Sequence, residues 1–107
     1  MDADAKVKLW IDFLESDWEA ETGFLRLVHR GTFDRDRGNQ LLEELRKMEL
    51  PDDGPQDRML ERRFVSAVWL IPLYLEWNKR SAAPGQQAEH YKQLSAQICT
   101  EVMRIMK

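Results

Sequence analysis

A chain of 107 residues is close to the commonest size of a single domain, so residues 1–107 are expected to form one domain. Hydrophobic residues make up 43% and charged residues 33%, with few glycines and prolines, which indicates a compact folded protein and excludes a disordered one. The formal net charge of -3 lacks the basic excess that nucleic-acid binding requires, which argues against DNA or RNA as the default partner.

The N-terminal segment 1–8 is charged and lacks the apolar core of a secretory signal. The lone cysteine, Cys99, cannot form an internal disulfide, which agrees with a reducing compartment. The apolar run from Phe64 to Trp77 is shorter than the roughly 20 residues that cross a bilayer. The sequence therefore predicts a cytoplasmic protein without a membrane partner.

The first predicted helix starts near the N-terminus and ends before Gly31, which suits the left-handed conformation at a helix end. Its apolar residues recur at three-residue and four-residue steps, the pattern of a helix with one face in a core. They are Val7, Ile11, Leu14, Trp18, Leu25 and Val28. The pattern is interrupted at Glu21 and Thr22, and Gly23 follows, which makes Gly23 the weak point of this helix. Whether the helix breaks stays open, and any break is expected near Gly23.

The second predicted helix begins within the cluster of capping residues at 32–36 and runs to Met48. Its inward side chains are Leu41, Leu42, Leu45 and Met48. The loop from Leu50 to Pro55 stops it, and Pro55 suits the first position of the next helix.

The third predicted helix runs from about Pro55 to Arg80 and contains the apolar run. Pro72 has no N–H to donate to the Val68 carbonyl, so a kink is expected, at a penalty of roughly 3 kcal/mol in a regular helix. Because this run is apolar on every side, we expect the rest of the chain to enclose it completely, with Trp69 in the core.

The last predicted helix follows a turn at 81–85 and spans about Gln86 to Met106. Its inward residues follow a seven-residue repeat: Tyr91, Leu94, Ile98, Val102 and Ile105. Short connections favour antiparallel neighbours, so the predicted fold is all-α, a four-helix up-and-down bundle whose central helix is kinked at Pro72. A helical homodimer, in which a second copy covers part of the first helix and of the apolar run, stays open as an alternative.

Motifs for chemistry are missing from the sequence. His29 and His90 have no second metal ligand three or four residues away on a well-defined helix face. The segment from Asp34 resembles a calcium loop, but Asn39 and Leu45 stand where that loop requires glycine and glutamate. Helix capping explains its acids better. With no phosphate-binding loop and no paired nucleophile and base, we expect no metal, no cofactor and no catalytic residues.

Acidic residues concentrate in the first helix, where Asp12, Glu15 and Glu19 share one face. Trp18 lies among carboxylates, and an aromatic residue surrounded by acids is typical of a surface that binds a basic partner. Two other interpretations compete with this one. Solvated surface charge with internal ion pairs explains the acids, and the helical period places Trp18 on the core stripe beside Leu14.

The leading hypothesis is a non-enzymatic module that binds another protein, in its most concrete form a stoichiometric antagonist of the immunity-protein or antitoxin type against a basic cleft. The predicted partner-binding residues are Asp12, Glu15, Asp17, Trp18, Glu19 and Glu21. One alternative is a nucleic-acid-binding regulator that uses the region from Arg26 to Arg37. Another is a ligand-binding bundle with a cavity at the Pro72 kink.

Overall fold

A computed structural model describes residues 3–50, 56–82 and 85–106, and these residues form helices and no strand. The helices are α1 (Ala3–Glu19), α2 (Phe24–His29), α3 (Arg35–Lys47), α4 (Arg58–Trp69), α5 (Ile71–Ala82) and α6 (Ala88–Ile105). A short 3-10 helix, Gly85–Gln87, precedes α6. The fold is the predicted all-α four-helix bundle, with the first and third predicted helices each divided in two.

The first predicted helix breaks where the sequence indicated, between α1 and α2. Gly23 lies against the backbone of Asp17, where a β-carbon would overlap the Asp17 carbonyl group. This close approach lets the chain turn and start α2 at Phe24. Gly31 ends α2 with a φ of 85°, and the Thr32 N–H donates to the Leu27 carbonyl.

The second predicted helix is confirmed as α3. Asp34 is its N-cap, and its side chain accepts a hydrogen bond from the Arg37 N–H at 3.1 Å. The four predicted inward residues are buried: Leu41, Leu42, Leu45 and Met48. Pro55, the predicted start of the next helix, lies outside the described residues, and the described helix α4 starts at Arg58 with Asp57 as its N-cap.

The predicted kink at Pro72 takes the form of a break at Leu70, between α4 and α5. Pro72 is the second residue of α5, a position where a helix needs no backbone donor. Leu70 keeps a right-handed helical backbone, with φ -79° and ψ -13°, and its carbonyl accepts from the Tyr74 N–H. The backbone therefore stays helical across the break, and the missing hydrogen bond falls at a helix start.

Helix α6 is confirmed, and all five predicted inward residues are buried: Tyr91, Leu94, Ile98, Val102 and Ile105. Its partner α3 approaches closely because Gly38 has no side chain, and a β-carbon there would overlap Leu94 and crowd Phe24. At the far end of both helices, Arg104 donates to the carbonyls of Leu45 and Met48 at 3.0 and 2.9 Å. Arg104 thus donates to carbonyls at the end of α3, where the regular helical hydrogen bonds stop.

Neighbouring helices in the bundle are often distant in sequence. The Asp4 carboxylate accepts from the Gln56 and Asp57 N–H groups at the start of α4, and Trp18 at the end of α1 reaches Ala67 near the end of α4. Helices α1 and α4 are therefore parallel, and the Gly38 and Arg104 contacts show the same for α3 and α6. Helices α5 and α6 are antiparallel, with the Tyr91 hydroxyl donating to the Leu75 carbonyl at 2.6 Å.

These pairings give a molecule of 46 × 26 × 20 Å in which α4 and α5 form one long rod. Helix α1 packs along α4, whereas α6 and α2 pack along α5. A core of buried apolar side chains follows the rod: Ile11, Leu14, Leu25, Leu45, Phe64, Val68, Ile71, Leu75 and Ile98 are among its members. The rod is thus covered by different helices along its two halves.

The expectation that the chain encloses the apolar run completely is wrong. Trp69, predicted to lie in the core, exposes 53% of its surface, and Trp77 exposes 71%. Helices α1, α2 and α6 cover part of the rod's circumference, and one side stays open to solvent beside α6. Apolar composition alone did not indicate how many helices would pack around the rod.

Candidate functional site

The six residues predicted to bind a partner lie on α1 and in the turn after it, but they do not form one exposed surface. Asp12 and Glu19 are exposed on α1, and Glu21 is exposed in the turn. The side chains of Asp17 and Trp18 are partly buried and contact other helices. The predicted acidic surface is therefore split between solvent and the protein interior.

Asp17 caps the N-terminus of α2. Its carboxylate accepts hydrogen bonds from the Phe24 N–H at 3.1 Å and from the Leu25 N–H at 3.0 Å, with one oxygen for each. Burial raises the pKa of Asp17, although the two N–H donors and the nearby Arg37 act in the opposite direction. Because both oxygens already have partners inside the chain, Asp17 has a structural role.

Trp18 packs between α1 and the α4–α5 rod. Its indole N–H donates to the Ala67 carbonyl at 3.2 Å, and its ring meets the edge of Tyr74 with centroids 4.6 Å apart. The Tyr74 hydroxyl in turn donates to the Leu25 carbonyl at 3.0 Å. Trp18 thus fixes α1 to the rod, in agreement with its place on the core stripe.

Two further acids of the predicted set form ion pairs within the chain. Glu15 contacts Arg63 of α4 at 3.0 Å, and Glu21 contacts Arg30 at 3.7 Å. All four side chains are substantially exposed, so each pair contributes under about 1 kcal/mol. Asp17 caps α2, and Glu15 and Glu21 form ion pairs. Within the described part of the chain, Asp12 and Glu19 are the acids of the set that do neither.

The arginine-rich region from Arg26 to Arg37 is distributed over several surroundings. Arg26 is partly buried near Tyr74, and Arg30 faces Glu21. Arg37 lines a small cleft of about 130 Å³ between α1 and α3, together with Asp17. Arg26, Arg30 and Arg37 therefore each lie close to an acid or an aromatic ring of the same chain.

A groove between α5 and α6 contains exposed apolar side chains that the sequence had placed in the core. It has a volume of about 630 Å³ and is lined by Trp69, Pro72, Leu73, Glu76, Val102, Met103 and Met106. Trp77, which is exposed, follows Leu73 by one helical turn and so lies next to it on the surface of α5. We call five exposed apolar side chains, Trp69, Leu73, Trp77, Met103 and Met106, the apolar face.

The exposure of the apolar face is large for such side chains. Trp69, Leu73 and Trp77 expose 53%, 41% and 71% of their surfaces, and Met103 and Met106 expose 66% and 40%. The sequence contained a signal for this face. A helix that is apolar on every side exposes apolar side chains wherever no other helix packs against it. The spacing of Trp69, Leu73 and Trp77 at successive four-residue steps marks the side that stayed uncovered.

The groove includes Pro72, where the sequence suggested a ligand cavity. Its volume falls within the range of small-molecule sites, but such sites usually bury most of the ligand surface. This groove is shallow and open to solvent along its length, and its exposed walls are flexible methionines and tryptophans. That geometry favours a macromolecular contact over a small enclosed ligand.

Metal and thiol chemistry find little support among the residues that the structure describes. No group of three histidine, cysteine, aspartate or glutamate side chains lies close enough there to hold a metal ion. Cys99 is partly buried on α6, and burial together with the nearby Glu76 raises the pKa of its thiol. A raised pKa lowers the thiolate fraction, which makes Cys99 a weak nucleophile at neutral pH.

Comparison with protein-family models, curated proteins and solved structures finds no match for this chain. Its function must therefore be inferred from its own residues. Over residues 3–50, 56–82 and 85–106, no helix combines the length and the apolar character that crossing a bilayer requires.

Proposed function

We propose that this chain is a non-enzymatic protein-binding module and that the apolar face is its contact surface. The observation that carries this proposal is the exposure of two tryptophans and a leucine from the end of α4 through α5, and of two methionines at the end of α6. At about 200 Å² for each large side chain, their exposed fractions correspond to roughly 500 Å². The largest apolar patch on a monomeric protein typically measures about 300–600 Å² and often has a function, so this face is the natural candidate for a binding surface.

The composition of the apolar face supports the same proposal. Tryptophan and methionine are enriched in the cores of protein interfaces, and charged residues are depleted there. Within the described lining of the groove, Glu76 is the one ionisable side chain. A partner would therefore remove apolar surface from water while burying little charge.

The antagonist hypothesis on the acidic side of α1 is a weaker second candidate. Asp12 and Glu19 are exposed and suit contact with a basic protein. The aromatic anchor that this hypothesis needs, Trp18, packs inside the molecule. Without it, the α1 surface offers electrostatic attraction but little apolar area, which speeds encounter more than it prolongs binding.

Photocrosslinking in living cells tests the proposed function. A benzophenone side chain is placed at Leu73 of the apolar face, and a matched control carries it at Asp12 on α1. We expect a protein adduct from position 73 and none above background from position 12. Adducts from position 12 alone would show that the partner binds the acidic side of α1 and not the apolar face. No adduct from either position would overturn the proposal that the apolar face binds protein.

A further inference from the structure

We propose that the partner of the apolar face is a second copy of this chain, bound as a symmetric homodimer. This inference rests on the proposed function, since it names the occupant of the same surface. Three features support it: the area of the face, its charge, and the positions of the other exposed apolar side chains.

The area of the apolar face matches what a dimer needs. Two copies that each bury roughly 500 Å² of these side chains remove roughly 1,000 Å² in total, the lower limit for a specific interface. Leu70, 39% exposed at the break beside Trp69, and the partly exposed Pro72 adjoin the face. Their burial would bring the interface into the ordinary range of about 1,200–2,000 Å².

The charge of the face permits self-association. In a two-fold symmetric dimer, the same surface of each copy forms the interface. Each charged side chain on that surface therefore faces its own counterpart in the other copy, or a residue next to that counterpart. Glu76 is the one ionisable residue along the described groove, whereas the exposed carboxylates of α1 would repel their own copies. Homodimer interfaces are also more apolar than transient ones, as this face is.

The rest of the described surface offers no equal second site. Besides the apolar face and Leu70, the large hydrophobic side chains that are exposed there are Leu9 on α1 and Met59 on α4. Two side chains provide too little area for a different, head-to-tail contact. A closed two-fold dimer uses one surface twice and needs no second one. Packing α5 and α6 on their copies would also form a four-helix arrangement around the groove.

Sedimentation equilibrium of the purified chain of 107 residues tests this inference. We expect a mass twice the 12.7 kDa of the chain at about 50 µM, with dissociation on dilution at a Kd of about 1 µM or below. Tryptophan emission followed on the same dilution is an independent readout, because Trp69 and Trp77 leave solvent when the dimer forms. A wild-type chain of monomer mass at all concentrations would overturn the inference.

Paired variants locate the interface. Trp77→Ser with Met103→Ser should raise the Kd at least 100-fold, while circular dichroism shows unchanged helix content because both side chains are already exposed. The matched control is Leu9→Ser with Met59→Ser, which removes two similarly exposed apolar side chains elsewhere and should leave the Kd unchanged. The inference is wrong if the Trp77 and Met103 double variant still forms the dimer. It is also wrong if only the Leu9 and Met59 control variant loses the dimer.

The two proposals fail in different ways. If position 73 crosslinks to a different protein in cells and the purified chain sediments as a monomer, the apolar face binds protein but the homodimer is wrong. If position 73 gives no adduct while the chain is a dimer through another surface, both proposals are wrong. Adducts between two copies of the chain, together with a dimer mass that the Trp77 and Met103 variant abolishes, support both.

Discussion

The acidic side of α1 and the apolar face of α5 and α6 differ in how their side chains are used within the fold. On α1, Asp17, Trp18 and Glu15 contact α2, α4 or α5 and contribute to the packing of the bundle. On the apolar face, Trp77 and Met103 extend from helices whose opposite sides already fill the core. The acidic side has the composition of a binding surface and is mainly structural, whereas the apolar face has the composition of a core and is exposed.

This difference shows that composition is a weak guide to which surface is available for binding. A carboxylate among other acids can still cap a helix, as Asp17 does for α2. An apolar residue in an apolar run can still face water when too few helices surround it, as Trp69 does. Substitutions on the two surfaces should therefore have opposite effects on stability and binding.

The largest effect on stability is expected from Asp17→Ala. This change leaves the N–H groups of Phe24 and Leu25 without their acceptor, and it should lower the free energy of unfolding by about 2 kcal/mol. Urea denaturation followed by circular dichroism measures the loss. Asp12→Ala, an exposed aspartate on the same helix, is the control and should change stability by less than about 0.5 kcal/mol. Equal effects of the two changes would show that Asp17 is not a cap.

A smaller loss is expected from Trp18→Phe, which keeps an aromatic ring but removes the hydrogen bond to the Ala67 carbonyl. The free energy of unfolding should fall by about 1 kcal/mol, measured in the same way. Trp77→Phe removes an indole of the apolar face and should be neutral in a sample dilute enough to be monomeric. If Trp77→Phe were the more destabilising change, the assignment of the two tryptophans would be reversed.

The pH dependence of stability should distinguish Asp17 from its exposed neighbours. Because burial raises the pKa of Asp17 above 3.8, the folded chain takes up a proton before the unfolded chain does as the pH falls. The stability contributed by this group therefore increases as the pH falls through the folded pKa and is lost again as the pH rises. Relative to Asp17→Asn, the wild type should gain stability between neutral pH and pH 3.8, as denaturation at a series of pH values would measure. A relative loss in that range would show that the two N–H donors outweigh burial.

The smallest effect is expected at the ion pair of Glu15 and Arg63. Both side chains are nearly half exposed, so the coupling energy in a double-mutant cycle with Glu15→Gln and Arg63→Gln should stay under about 1 kcal/mol. The coupling should fall further in high salt, because exposed charges are screened. A coupling of several kcal/mol would mean that this part of α1 is much less accessible to solvent than the structure shows.

Local features of the fold could be predicted from the sequence because they depend on neighbouring residues. The helical period located the buried side of α6, and the residue preferences of helix ends identified Asp34 and Gly31. The gap in the apolar pattern located the weak point near Gly23 but left open whether the helix breaks there. Each of these signals lies within one or two turns of the residue it concerns.

The properties of the candidate surfaces depend on contacts between distant residues, which the period of a single helix does not encode. The partner of Trp18 is 49 residues away, so its hydrogen bond could not be inferred from the residues around it. The exposure of Trp69 depends on where α1, α2 and α6 pack around the rod. The leading prediction assigned all the cover to the chain itself, and only the homodimer alternative left part of the apolar run for a second copy to cover.

The parallel pairing of α1 with α4 and of α3 with α6 has a consequence for how the chain folds. The start of α4 lies 53 residues beyond Asp4, and the Leu45 carbonyl accepts its hydrogen bond from a donor 59 residues later. The hairpin of α5 and α6 closes a short loop, whereas the α1–α4 and α3–α6 pairs close long ones, which slows folding. During synthesis, α1 and α3 leave the ribosome before their parallel partners α4 and α6 have emerged.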